Sequence, residues 1–459
     1  MRLLVAAAVV LAAVRGGLFV LAGDVGLSDP TLSVNALVPA IVAAVVVGIA
    51  VKLRPELMNL SRPLLIGWGL IVFVVAVNLL VQTVGLRLYG IGVAQYLVYP
   101  TLALAIWPLF EEGDERLLVR VIVAAGVLVA LSVLLQAADI ESFIQSANAD
   151  VDGLAANRYA GITGSYLHTS AFLGCAFVLL MGDALGRRGW LNWAFSVLLL
   201  TVVFSAVILT FSRSGVMISA IGLAALFLFA AKDRRALFLP LVVPAVASAI
   251  GVGAWGGVTP EAAGERAASG LDAQGDKGNE LRADAISGAV DTYQGQDLLH
   301  QVMGDGLAST GNARQLEGGD STAELNIVES YYLKLLTETG FFGLILIGGF
   351  LVWALLYFLR TLWCFRDPLS ASLAAAGLGL GLYNIIYPAL ETQLLALAWW
   401  LMFSISLRRT WLQSDREASF LLLPIGGGRK TGPPEEELPA KPLSGVEPLP
   451  DPVADGSAG

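Results

Sequence analysis

The stretch Leu209–Ser219 reads LTFSRSGVMIS and sets Arg213 near the middle of an apolar run from Leu191 to Ala231. As one helix that run would be about 60 Å long at ~1.5 Å per residue, twice the ~30 Å core of a bilayer. Basic clusters flank it on both sides, with Arg187 and Arg188 before it and Lys232, Arg234 and Arg235 after it. Such clusters mark cytoplasmic loops. Both ends then lie on one side, so the chain must reverse at Ser212–Gly215, where a glycine and two serines suit a tight turn. Arg213 is expected at the external mouth between two helices, not in mid-membrane.

The rest of the chain fits the same frame. Its 459 residues are 56% hydrophobic and 14% charged, with mean hydropathy +0.73. A soluble domain carries about 25% charged residues. Long apolar runs recur, and lipid offers backbone groups no partner, so the spans must be helices. The expected fold is all-α: a polytopic membrane protein of about twelve transmembrane helices, near 3–22, 35–52, 64–84, 89–110, 117–136, 166–184, 190–211, 215–231, 236–254, 335–359, 369–388 and 391–407. Residues 1–254 would hold the first nine helices and 332–410 the last three. Between them, 255–331 would form a long extracytoplasmic loop containing short helices. Residues 411–459 are rich in Pro, Glu and Gly and read as a disordered cytoplasmic tail.

Charge alternates along the connections. Lys52, Arg54, Arg62, Arg116, Arg120, Arg360, Arg366, Arg408 and Arg409 join the basic set, whereas the other connections are acidic or nearly uncharged, Arg87 excepted. Both termini are therefore expected in the cytoplasm. The N-terminal apolar stretch continues past Arg15 as GGLFVLAG and reads as a first span rather than a signal peptide. Arg15 reads as packed against helix partners or snorkelling. Cys175 and Cys364 lie in apolar runs and suggest neither a disulfide framework nor a metal site.

Under this topology the unusual polar groups collect on one side: His168 in RYAGITGSYLHTSAFLG, Arg213, Arg282 in NELRADAISGAVDTYQ, and Glu329 in NIVESYYLKLLTETGFFG. The segment Glu280–Tyr293 has helical spacing. The loop from Trp255 to Ser330 holds thirteen Asp/Glu against four Lys/Arg, so it is no broad basic surface for nucleic acid or anionic lipid. Gly304 and Gly306 suggest a turn with unusual backbone angles, and His300 reads as structural. Arginine makes forked hydrogen bonds to phosphate, so Arg213 and Arg282 could grip a diphosphate. At an external face no nucleotide donor is available, and activated sugars are carried there on lipid diphosphates. An acceptor hydroxyl needs a base, for which His168 and Glu329 are candidates. Taken singly, each residue also has a structural reading. Arg213 could anchor a turn at the headgroups, and His168 could begin a helix at the interface. Arg282 could pair with Asp284 or Glu280, and Glu329 could favour a helix start through the dipole.

The segments GSYLHTSAFLG, TFSRSG and ESYYLKLLTETGFFGLILIG, in that order, resemble the O-antigen ligase and O-antigen polymerase superfamily. The last contains a Glu–x–Gly–x–x–Gly pattern at Glu338, Gly340 and Gly343, and ELRADAISGAV…VMGDGLAS resembles the family's loop arginine and glycine-rich turn. The resemblance runs over roughly Tyr159–Gly348. It implies a bacterial inner-membrane glycosyltransferase that polymerises or transfers glycans from a polyprenyl-diphosphate donor to a sugar hydroxyl. Arg213 and Arg282 would contact the diphosphate, and no metal or cofactor is implied. Ligases of this group carry a His, often followed by Asn, before the closing YL segment. Here Glu329–Ser330 stands in that place, which favours a polymerase and makes Glu329 the group near the acceptor.

The implied partners are the lipid-linked donor, a glycan acceptor and the membrane, with polysaccharide-assembly proteins as candidates. Attack with departure of the diphosphate would invert the anomeric centre. Two other functions fit less closely: a ligase that moves finished glycan to a lipid or protein acceptor, and a transporter or flippase of lipid-linked sugars. Transporters bury polar groups at mid-span, and Asn78 and Asn384 are the candidates for that role.

Overall fold

The computed structural model describes residues 2–18, 41, 44–45, 48, 62–81, 85–109, 113–138, 159–186, 190–210, 212–230, 277–310, 330–364 and 367–414. Among them there is no strand. The helices are α1 (Arg2–Ala13), α2 (Arg62–Asn78), α3 (Leu86–Leu109), α4 (Asp114–Ala137), α5 (Tyr166–Gly186), α6 (Trp190–Leu209), α7 (Arg213–Ala225), α8 (Lys277–Gly295), α9 (Leu298–Met303), α10 (Tyr331–Gly343), α11 (Gly349–Cys364), α12 (Pro368–Tyr383) and α13 (Gln393–Ser414). A π-helical turn, Leu344–Gly348, joins α10 to α11.

Among the described residues, four helices are long and apolar enough to cross a membrane: Asp114–Ala137, Tyr166–Leu185, Trp190–Leu209 and Tyr331–Cys364, the last kinked at Gly340. Shorter apolar helices accompany them, including Arg62–Asn78, Arg213–Leu228 and Pro368–Tyr383. The expected span at 236–254, almost all of that at 35–52, and the tail from 415 lie outside the described residues. The apolar run from Leu191 is divided as its length demands, with α6 ending at Leu209 and α7 starting at Arg213.

A helix that is apolar all round belongs inside a bundle. Ala171–Met181 of α5, Ser370–Gly381 of α12 and Leu394–Leu407 of α13 are buried on every side. Outer helices instead turn apolar stripes outward at helical spacing: Leu128, Leu131 and Leu135 on α4, Leu191, Phe195 and Leu198 on α6, and Val352, Leu356 and Leu359 on α11. Such faces suit a hydrocarbon surround, not water.

Small residues let the inner helices touch. A Cβ added to Gly174 would lie 2.7 Å from the Gly215 carbonyl oxygen, and one at Gly222 would meet Val178, so α5 and α7 run side by side in parallel. Gly182 packs on Ser372, which sets α12 antiparallel to α5. These directions give the bundle two distinct ends. One gathers the starts of α5, α7, α10 and α13 with the ends of α2, α4 and α12. The other carries the starts of α4 and α12 and the end of α13. There Arg408 Nε lies 2.8 Å from Glu115 Oε1 and Arg409 Nη2 lies 2.6 Å from Asp367 Oδ2, with Arg116 and Arg120 exposed beside them. We call the two ends the loop end and the basic end.

At the basic end Asp367 caps α12 by accepting from Ser370 N at 3.0 Å. Burial pushes its carboxyl pKa up, but the Ser370 N–H and the Arg409 charge outweigh that and hold it below its ordinary value of 3.8. A depressed carboxylate contributes stability above its ordinary pKa and loses it as pH falls through the native value. Asp367→Asn should therefore lower the detergent melting temperature at pH 7. The gap to the parent should close as pH drops below about 4. A gap that persists in acid would show that the charge is not responsible.

Candidate functional site

The serines of the SRSG turn bind the neighbouring helix. Ser170 Oγ on α5 donates to the Ser212 carbonyl at 3.2 Å and accepts the Gly215 N–H at 2.9 Å. Ser214 Oγ donates to the Leu167 carbonyl at 3.5 Å and lies 2.8 Å from Ser212 Oγ. A Cβ on Gly215 would sit 2.4 Å from the Ser170 carbonyl oxygen, so only glycine permits this approach. The clip fixes the start of α7 against the first turn of α5. Arg213, exposed, and His168, half-buried, flank it on adjacent residues.

His168 is held from several sides. Its Nε2 lies 3.0 Å from the Tyr387 hydroxyl, in the segment that follows α12. The turn before α5 folds onto α4, with Gly161 N donating to Gln136 Oε1 at 2.9 Å and Ile162 N to Ser132 Oγ at 2.9 Å. Gly16 and Gly17, after α1, pack directly on Ile162 and Gly164. That contact brings Arg15 within electrostatic reach of His168 and of Tyr99.

The loop is fastened to the same end. Asp297 caps α9 through the His300 N–H at 2.9 Å and accepts from His300 Nδ1 at 2.8 Å. The His300 backbone bond leads the contacts that hold its carboxyl below the usual range. After α9 the chain turns through Gly304 and Gly306, at φ 82° and 111°. The turn docks where α10 is broken at Gly340, whose φ is 66°. Asp305 N donates to the Thr337 carbonyl at 2.9 Å and Gly306 N to the Glu338 carbonyl at 3.2 Å. The two backbones are so close that a Cβ on Gly340 would lie 2.3 Å from the Val302 carbonyl oxygen.

Behind this junction lies a buried charge cluster. Lys334 Nζ is 3.2 Å from Glu338 Oε1 and 2.9 Å from Glu391 Oε1, all three side chains being inaccessible. Tyr96 donates to Glu338 Oε2 at 2.8 Å and Thr310 to Glu338 Oε1 at 3.2 Å. Charges out of contact with water persist only when paired and hydrogen-bonded. Here α3, the loop turn, α10 and the connection before α13 each supply a partner. The segment 384–391 joins the two groups of residues, since Tyr387 reaches His168 and Glu391 reaches Lys334.

Of the four residues singled out from the sequence, His168 and Arg213 meet at the loop end. Arg282 lies on α8, a helix of Lys277–Gly295 that contains the expected 280–293 segment. Glu329 lies outside the described residues. Asn384 is a local fastener: its Oδ1 accepts the Leu390 N–H at 3.0 Å, and its carbonyl accepts the Tyr331 N–H at 3.0 Å. Sequence reasoning missed Lys334, Glu391, Tyr96 and Tyr387. A lysine four residues before a glutamate in an apolar helix was a usable signal for the first. The other three meet their partners across more than 50 residues and left no local trace.

An all-helical bundle with outward apolar stripes and a polar loop fastened to one end defines the chain as a membrane protein of many helices. Residues 195–348, about a third of the chain, match the O-antigen ligase family model, and this segment is therefore similar to the O-antigen ligase and polymerase-like superfamily. The matched segment runs from α6 through Arg213, α8 and α9 to the end of the Leu344–Gly348 turn. No curated protein matches the chain. The family match points to a glycosyltransferase-like ligase or polymerase, and with the apolar helices it supports a membrane protein of polysaccharide biosynthesis.

Two outcomes follow from this geometry. Gly340→Ala adds a methyl against backbone at a positive φ and should cost about 3 kcal/mol. Gly349→Ala, with nothing within 4 Å, should be tolerated. Detergent melts of the two variants compare them directly, and equal stability would contradict the docking. A double-mutant cycle of His168→Ala with Tyr387→Phe should show coupling of about 1 kcal/mol in the same assay. Additive effects would show the contact to be idle.

Proposed function

We propose that the protein is an integral membrane glycosyltransferase. It takes a glycan from a polyprenyl-diphosphate donor and passes it to a sugar hydroxyl at the extracytoplasmic face, with polysaccharide extension the favoured outcome. The acceptor oxygen attacks the anomeric carbon while the bond from that carbon to the diphosphate oxygen breaks. The electron pair leaves with the diphosphate, and attack from the opposite face inverts the centre. Arg213 and Arg282 hold the diphosphate and stabilise its growing charge. Glu329 takes the hydroxyl proton, and His168, beside Tyr387, is the second acid–base candidate. No step calls for a metal.

The observation that carries this reading is the serine clip, which sets Arg213 beside the His168 turn at the end where the loop bearing Arg282 is docked. The opposite end concentrates arginines, which under the positive-inside rule supports a topology with the loop end outside the cell and both termini in the cytoplasm. On that topology 1–254 form nine spans, 255–331 the external loop, 332–410 three further spans and 411–459 a cytoplasmic tail. The O-antigen ligase match of residues 195–348 supports a second reading, transfer of finished glycan to a lipid or protein acceptor. A deletion strain separates the two: single repeat units on the carrier lipid indicate a polymerase, long polymer on it a ligase. A flippase is excluded once purified protein converts donor to product in detergent.

Arg213→Ala and Arg282→Ala, at matched protein levels, should each lower glycan transfer by about a hundred-fold. Arg213→Lys should rescue poorly, because a point charge does not reproduce the forked contact. Normal glycan length with either alanine variant defeats the assigned role.

A further inference from the structure

Asn78 stands at the end of α2, far in sequence from everything it touches. Its amide nitrogen donates to the Met303 carbonyl at 3.0 Å and the Glu338 carbonyl at 2.9 Å. Its Oδ1 accepts the Leu307 N–H at 2.9 Å. The residue is 2% exposed. Both amide hydrogens are thus engaged and the oxygen accepts a backbone N–H, so this buried side chain serves the protein's own backbone. One side chain joins the end of α9, the turn after it and the break in α10.

The loop helices are tied into this junction. Tyr293 Oη, on α8, donates to the Gln301 carbonyl at 2.8 Å. Gln301 Nε2 donates back to the carbonyls of Gln294 and Gln296 at 3.2 and 3.1 Å. The α8–α9 ties are half-buried or exposed, whereas the Asn78 bonds to Leu307 and Glu338 are fully buried. A buried polar group holds its partners firmly, because releasing them leaves them unpaired away from water. Tyr96 and Thr310 reinforce the junction through the Glu338 carboxylate.

We infer that Asn78 is a positioning residue: by locking the Gly304–Thr310 turn onto the broken helix α10, it sets where α8, and with it Arg282, stands over the bundle end that carries Arg213 and His168. The consequence for catalysis rests on the function proposed above; the lock itself does not. Loss of the lock displaces Arg282, which both holds the donor diphosphate and stabilises its growing charge, so it raises donor KM and lowers kcat.

The test uses full-length protein with Cys364→Ser, which removes the exposed native thiol. Ser309→Cys, 5% exposed in the turn, reports on the lock through its labelling rate with a membrane-impermeant maleimide. Asn78→Ala should speed that labelling about ten-fold and raise the KM for a polyprenyl-diphosphate-linked glycan about ten-fold, with kcat falling as well. Slow labelling or an unchanged KM overturns the inference.

If Asn78→Ala fails to accumulate, the milder Asn78→Ser takes its place throughout, and a disulfide supplies the rescue. The hydroxyls of Thr310 and Thr337 are 3.5 Å apart, so Thr310→Cys with Thr337→Cys can close a disulfide between turn and helix. With Asn78 intact, closing it should leave turnover unchanged, and in Asn78→Ala it should restore donor KM. Lost turnover on closure, or no restoration, overturns the inference. Fast labelling with normal KM sinks it while leaving the transferase reading intact. If Arg213→Ala leaves transfer untouched, the transferase reading falls, and labelling still reports on the lock.

Discussion

The docking of a glycine turn onto a broken helix governs the loop end of this protein. A helix exposes no backbone hydrogen-bonding groups along its length, so a loop can join one by backbone bonds only where it is interrupted. Gly340 supplies the interruption, and Gly304 lets the partner come within backbone contact. The carbonyls of Thr337 and Glu338 then receive the turn's N–H groups. The Lys334, Glu338 and Glu391 charges sit directly behind, so both layers of polar contact reinforce one position.

For the proposed function this arrangement matters because Arg213 and Arg282 come from distant parts of the chain. Arg213 is placed by the serine clip, a contact between helices adjacent in the bundle. Arg282 belongs to a loop helix that would otherwise find its place only through half-buried contacts. Under that proposal, a site for a bulky lipid-linked anion gains from loop chemistry held on a rigid scaffold.

Much of the fold was legible in the sequence, because it follows from length and solvent. The Leu191–Ala231 run was too long for one crossing and too basic at both flanks to end on opposite sides, and it divides at SRSG. The Glu280–Tyr293 spacing announced α8, and Gly304 and Gly306 announced a turn with positive φ. The role of the serines was read differently from sequence: they suggested turn formation, and in the structure they bond to α5. Asn78 read as a mid-span polar group because its partners lie more than 200 residues away. Tyr387 and Glu391 sit in a short connection whose composition carries no signal, and their importance comes wholly from what they meet in space.

The order in which the charged cluster forms bears on how the chain is made. Lys334 and Glu338 lie one turn apart on the same helix, so that segment can leave the translocon with its charges already matched. Glu391 belongs to the connection before the last helix, and α12 provides much of the cover over α5. A nascent chain halted before Pro368 would hold its most interior helix against lipid and its lysine with a single carboxylate. The contacts of Lys334 and of α5 are therefore complete only once α12 and the connection bearing Glu391 are in place.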